Sequence, residues 1–254
     1  FRQLAGGLQH RRALGEECPG WEAFAMIRVH VICEGQTEEM FVNELLLPFF
    51  FPQGIQLVPA LVGKPGHKGG NFKFERLLAD VRNRLLGDRT AYCTTFFDYY
   101  GLPQTFPGKE AQAAHADIRD KAAAVQDAMV AELTRLIGQD PMRRFIPFVQ
   151  MYEFEALLFS DPQAFANGVD RGALSAPLGA ISAQFNTPEH INNSPATAPS
   201  KRIEALMPDY QKPLMGTLAA LEVGLEVMRA RCALFNGWLT HLELLLVSND
   251  TVGI

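Results

Sequence analysis

Four acidic residues of this chain lie where apolar runs end. Glu34 follows the run from Met26 to Cys33, Asp98 closes the run from Ala91, and Glu153 and Glu155 follow the run from Phe145 to Met151. Carboxylates brought to one point repel each other and usually stay ionised together only around a hard divalent cation. A Mg²⁺ or Mn²⁺ ion held this way polarises a phosphate, lowers the pKa of a water and steadies a leaving oxygen. The pattern therefore points to phosphoryl chemistry at a metal held by Glu34, Asp98, Glu153 and Glu155. Residues two apart on an extended segment face the same way, so Glu153 and Glu155 can both serve; a helix starting there would leave only one. Taken singly, each acid could as well cap the next helix or pair with an arginine.

Basic and polar groups lie in loops. Lys64, His67 and Lys68 sit among Gly63, Gly66, Gly69 and Gly70, a loop able to bring ammonium charge and backbone N–H groups to phosphates. It lacks the spacing of a Walker A loop. Ser200, Lys201 and Arg202 follow Pro199 at an expected helix start, which favours anions. Lys201 there could offset charge in a phosphoryl-transfer transition state. Tyr99 and Tyr100 abut Asp98 and could stack on a base or ribose.

These residues need a scaffold that gathers strand ends. Strands are expected near 26–33, 55–62, 91–98 and 145–151, with helices over 36–47, 72–86 and 110–137 between them. Pro48 is expected to follow the end of the first helix. That alternation predicts an α/β fold: a mainly parallel, Rossmann-like sheet of about four strands flanked by helices. In such sheets, sites form beyond the carboxyl ends of the strands. From Pro162 the pattern turns helical, which divides the chain into a core over 26–161 and a helical elaboration over 162–254. Residues 1–25 have weak periodicity and no signal-peptide character, and Met26 is expected to be the natural start.

Composition narrows the function. The 254 residues are 48% hydrophobic with a net charge of −5, against a protein coated with positive charge for nucleic acid, though not against a local basic groove. No apolar run is long enough to span a membrane. The four cysteines, Cys18, Cys33, Cys93 and Cys232, form no metal-binding spacing and suit a reducing cytoplasm.

Four segments together resemble a known family. They are Val31-Ile-Cys-Glu-Gly-Gln-Thr-Glu38, Phe97-Asp-Tyr-Tyr-Gly-Leu-Pro103, Tyr152-Glu-Phe-Glu-Ala-Leu-Leu-Phe159, and Glu189-His-Ile-Asn192 with Ala198-Pro-Ser-Lys-Arg202. This set is similar to domain of unknown function family 4276, a Toprim-like bacterial group related to the OLD nucleases. The resemblance implies a Toprim-like core and divalent-metal phosphodiester hydrolysis, with Glu34 as general acid/base or metal ligand. It also implies DNA as substrate, an ABC- or AAA-type ATPase as partner, and a role in defence against phage or foreign DNA. A homo-oligomer is compatible with it. The Toprim acidic motif has two aspartates one residue apart, whereas this chain reads Asp98-Tyr99-Tyr100. That departure, with the acidic net charge, favours a second expectation: a non-catalytic module that binds nucleic acid or a partner.

Overall fold

The computed structural model describes residues 26–63, 72–110, 117–192 and 195–250. The leader over 1–25, Cys18, and the loop bearing Lys64, His67 and Lys68 lie outside the described residues. The chain opens with β1 (Ile27–Cys33), then α1 (Gln36–Phe41), a π turn (Val42–Leu46) and α2 (Leu47–Phe50). β2 (Ile55–Leu61), α3 (Phe74–Gly87) and β3 (Tyr92–Asp98) follow, then α4 (Ile118–Ile137) and α5 (Gln139–Met142). Two short strands, β4 (Phe145–Ile146) and β5 (Val149–Gln150), complete the sheet. The remainder is helical: α6 (Pro162–Gly168), α7 (Ser175–Ser182), α8 (Pro199–Leu206), α9 (Lys212–Val223), α10 (Leu225–Arg231) and α11 (Ala233–Asp250).

Every strand pairing is parallel, in the order β2-β1-β3-β4, with β5 also on β3. The α/β expectation holds. The expected fourth strand is interrupted: β4 and β5 are separated by Pro147 and Phe148, and Pro147 has no N–H for a ladder. The first helix runs on past Pro48 rather than stopping before it. A proline inside a helix removes one hydrogen bond and clashes with the carbonyl four residues back. The π turn over Val42–Leu46 lies on the segment where that clash would fall, and its wider spacing accommodates the ring.

Side chains alternate across the central strands. Val29, Val31 and Cys33 face a core shared with Phe41, Phe154, Phe165, Met228, Phe235 and Leu239. Ile32, Cys93 and Phe97 face a second core with Leu77, Val81, Leu85 and Met129 of α3 and α4. The C-terminal helices thus share a core with the sheet. Trp238 of α11 stacks on Phe148 at 4.4 Å and 3°, and its indole N–H donates to the Thr94 hydroxyl at 2.9 Å. Cys33, Cys93 and Cys232 are free, buried thiols. No described helix is long and apolar enough to cross a membrane.

Because Trp238 is buried and fills the junction between β3 and α11, Trp238→Ala should destabilise the fold by about 3–5 kcal/mol, read as a lower urea midpoint.

Candidate functional site

Strand register brings the acids together. Cys33 stands opposite Phe96, so Glu34, the next residue, reaches the end of β3. The Asp98 N–H donates to Glu34 Oε2 at 3.0 Å. Asp98 in turn stands opposite Gln150 of β5, and Asp98 Oδ1 accepts from the Phe154 N–H at 2.7 Å. The chain leaves β1 for β2 on one side and arrives at β3 on the other. The cleft between β1 and β3 is therefore a topological switch point, where open α/β sheets form their sites.

Glu153 and Glu155 both reach this edge. Glu153 is in extended conformation ahead of a buried 3₁₀ helix over Phe154–Ser160, and its Oε2 accepts from the Ser200 N–H at 2.8 Å. Glu155 is fully buried. A fifth acid, Glu38, joins from the third position of α1, where it accepts from the Gly35 N–H at 2.9 Å.

Lys212, the first residue of α9, stands among them. Its ammonium lies 3.0 Å from Glu155 Oε2 and 3.4 Å from Asp98 Oδ2. Neither Glu155 oxygen makes a hydrogen bond of ordinary geometry, nor does the buried Tyr210 hydroxyl. An alanine Cβ at position 216 would meet that hydroxyl at 2.9 Å and the Phe154 ring at 3.4 Å. Gly216 thus lets α9 approach closely and carry Lys212 into the acids.

The electrostatics follow from burial and like charge. Burial and then Asp98 push Glu34 up to about 8. Burial, Asp98 and Glu34 push Glu38 to about 8. Burial raises Glu155 to about 8 against the pull of Lys212, with Asp98 and Glu153 adding to the rise. Asp98 rises less, to about 6, because Lys212 opposes burial more strongly than Glu153 reinforces it. Burial works against charge on Lys212, yet Asp98, Glu155, Glu38 and Glu153 outweigh it and hold the ammonium above the ordinary lysine range. At neutral pH the cluster keeps protons on some carboxyls while Lys212 stays charged.

The donor type, hard carboxylate oxygen, is chemically suited to Mg²⁺ or Mn²⁺. As they stand, no three acidic, histidine or cysteine side chains among the described residues converge closely enough to grip one ion. Lys212 lies between Asp98 and Glu155 instead.

The other expected residues are distributed nearby. The Ser200 backbone holds Glu153. Lys201 pairs with Glu204 at 2.7 Å on the exposed side of α8, with Glu153 and Lys212 within electrostatic range. Arg202 donates to the Thr197 carbonyl at 2.8 Å and covers the Phe185 ring at 5.0 Å, so it braces its own loop. The Tyr100 hydroxyl donates to Asn192 Oδ1. Tyr99, Tyr100 and Tyr152 form an aromatic group beside the acids, with centroid separations of 5.4 to 5.9 Å. Lys109 donates to the Tyr99 carbonyl at 2.9 Å and to that of Leu102, and lies 4.8 Å over the Tyr99 ring. Tyr152 has φ 65°, a conformation that non-glycine residues rarely adopt and that costs about 1–3 kcal/mol.

Sequence reasoning missed Lys212, Glu38, Lys109 and Tyr152. Glu38 carried a signal: four residues from Glu34 at a helix start, it returns to the same side. Lys212 carried no such signal, since the macrodipole disfavours a cation at a helix N-terminus. Lys109 and Tyr152 carried none.

The raised carboxyls set a pH dependence. The folded state binds more protons than the unfolded chain between the ordinary 4.5 and about 8, so these groups stabilise fully below that window and their contribution is lost as pH rises through it. Glu38→Gln, which carries no charge to desolvate, should flatten the decline, measured by thermal melting across this range with a chelator present. Lys212→Met should destabilise by about 1–3 kcal/mol at the alkaline end and less in mild acid, since the half-exposed ammonium is partly screened.

A family model described as a domain of unknown function (DUF4276) matches residues 33–243, from the last residue of β1 into α11. No curated protein and no solved structure matches the chain at a significant level. The match spans most of the sequence and the whole of the acidic site, and the chain therefore belongs to the DUF4276 family.

Proposed function

We propose that the chain is a Toprim-like phosphodiesterase, a nuclease dependent on Mg²⁺ or Mn²⁺. The observation that carries this reading is the gathering of Glu34, Glu38, Asp98, Glu153 and Glu155 at the switch point of a parallel sheet. Glu34, Asp98 and Glu155, with Glu153, would hold the ion. When bound, the ion supplies Lewis acidity to the scissile phosphate and acidifies the attacking water. Glu34, in its ionised form, would accept a proton at a carboxylate oxygen as general base. Asp98 fixes the geometry through the Phe154 N–H. Lys212 offsets charge at the reacting phosphate, and Lys201 adds positive charge at the rim. Ser200 and Arg202 shape the phosphate-facing start of α8, and Lys64, His67 and Lys68 extend the reading to the loop after β2.

The family resemblance extends the proposal to DNA as substrate, an ABC- or AAA-type ATPase as partner, a cytoplasmic setting and defence against phage or foreign DNA. The exposed leucines of α9, Leu214, Leu218 and Leu221, supply an apolar stripe of the kind partners cover.

A second reading, a non-catalytic module, is favoured by two observations: Lys212 already pairs with Asp98 and Glu155, and Asp98 is the single aspartate at the end of β3.

Nicking of supercoiled plasmid separates the two. Wild type with Mn²⁺ or Mg²⁺ should nick, and Glu34→Gln and Asp98→Asn should each lose roughly 10²- to 10⁴-fold in rate while remaining folded. Wild type that stays inert with the candidate ATPase present supports the binding module.

A further inference from the structure

Beside the acids lies a pocket of about 370 Å³, lined by Tyr99, Tyr100, Tyr152, Lys109, Lys121 and Asn192, among others. Its aromatic wall is built from the two strand ends that supply the acids. Tyr99 and Tyr100 directly follow Asp98, and Tyr152 directly precedes Glu153. All three rings are partly exposed. The Tyr100 N–H donates to the Tyr152 carbonyl at 3.1 Å, which staples the two segments. The left-handed backbone of Tyr152 is a second mark, because such conformations in bulky residues cluster at functional sites.

We propose that this tyrosine cup binds one unstacked nucleobase of a single-stranded nucleic acid and presents the adjoining phosphodiester to the acidic cluster. The inference rests on the phosphodiesterase reading and names its substrate class. Three arguments favour a single strand. Tyrosine rings stack on any base, but only on one freed from its neighbours. The pocket has small-ligand dimensions and admits a base, not a duplex. The chain carries a net charge of −5, and duplex binding without base contacts draws its affinity from many phosphate–cation pairs. Lys121 supplies positive charge at the pocket for one phosphate, with Glu110 beside it, while the buried Lys109 ammonium is turned onto the Tyr99 and Leu102 carbonyls and braces the aromatic wall.

The test is fluorescence-anisotropy titration of the full chain, in chelator, with fluorescein-labelled short oligo(dT), oligo(U) and a DNA duplex of equal length. Single strands should bind more tightly than duplex, and the dT and U arms show whether DNA or RNA is preferred. Tyr100→Leu and Tyr152→Asn should each weaken single-strand binding roughly 5- to 150-fold. Asparagine tolerates positive φ, so the second variant removes a ring without backbone strain. Crosslinking of iodouracil-substituted oligonucleotide to the wild type, mapped by mass spectrometry, needs no variant and should fall on Tyr99, Tyr100 or Tyr152. Equal or tighter duplex binding, unchanged affinity in both folded variants, or crosslinks confined to other regions would overturn the proposal. Single-strand binding through the tyrosines without metal-dependent cleavage would leave the cup in place and reject the phosphodiesterase reading. Cleavage of duplex with no tyrosine dependence would do the reverse.

Discussion

Mutual repulsion among carboxylates at the end of a parallel sheet is the constraint around which this molecule is arranged. Parallel register sends β1, β3 and β5 to the same edge, and each delivers an acid there or just beyond. Burial makes the repulsion stronger, because little water is left to screen it. Two responses are built into the chain. Some carboxyls keep their protons at neutral pH, and Lys212 arrives on a helix whose close approach depends on Gly216. A lysine at a helix N-terminus is locally unfavourable; five acids in front of it reverse the balance.

The acids are also joints. Glu34 accepts from the backbone of Asp98, Asp98 from that of Phe154, and Glu153 from that of Ser200. These bonds run from β1 to β3, then to the buried 3₁₀ segment and on to α8. Chemistry and assembly therefore share atoms. Replacing one of these acids by alanine removes a charge and an acceptor together. The isosteric amide keeps the acceptor oxygen and separates the two effects.

Much of this was legible in the sequence, and what was not has physical reasons. Strand ends and their acids could be read because a strand covered on both faces is a short apolar run and a site follows its end. The continuation of the first helix past Pro48 could not, since a π turn leaves no compositional mark. Pro147 interrupts the fourth strand at a point where the surrounding apolar residues still read as one run. Lys212 lies 114 residues from Asp98; a pairing at that separation is made by tertiary packing, and local propensity argues against the residue's position. Glu189 is buried and accepts the N–H groups of Leu234 and Phe235 at 3.1 and 2.9 Å, anchoring the start of α11, a role that no local pattern announces.

Gly101 has a bearing on the rest of the family. A Cβ at this position would lie 1.9 Å from Glu34 Oε1 and 2.3 Å from its carboxyl carbon. The Glu34 carboxylate thus occupies volume that any other amino acid would claim for itself. A relative with a side chain here has either re-routed the loop after β3 or lost this placement of the first acid. A single glycine codon thus offers a way to sort relatives into those that keep this acid in place and those that carry the same fold to another end.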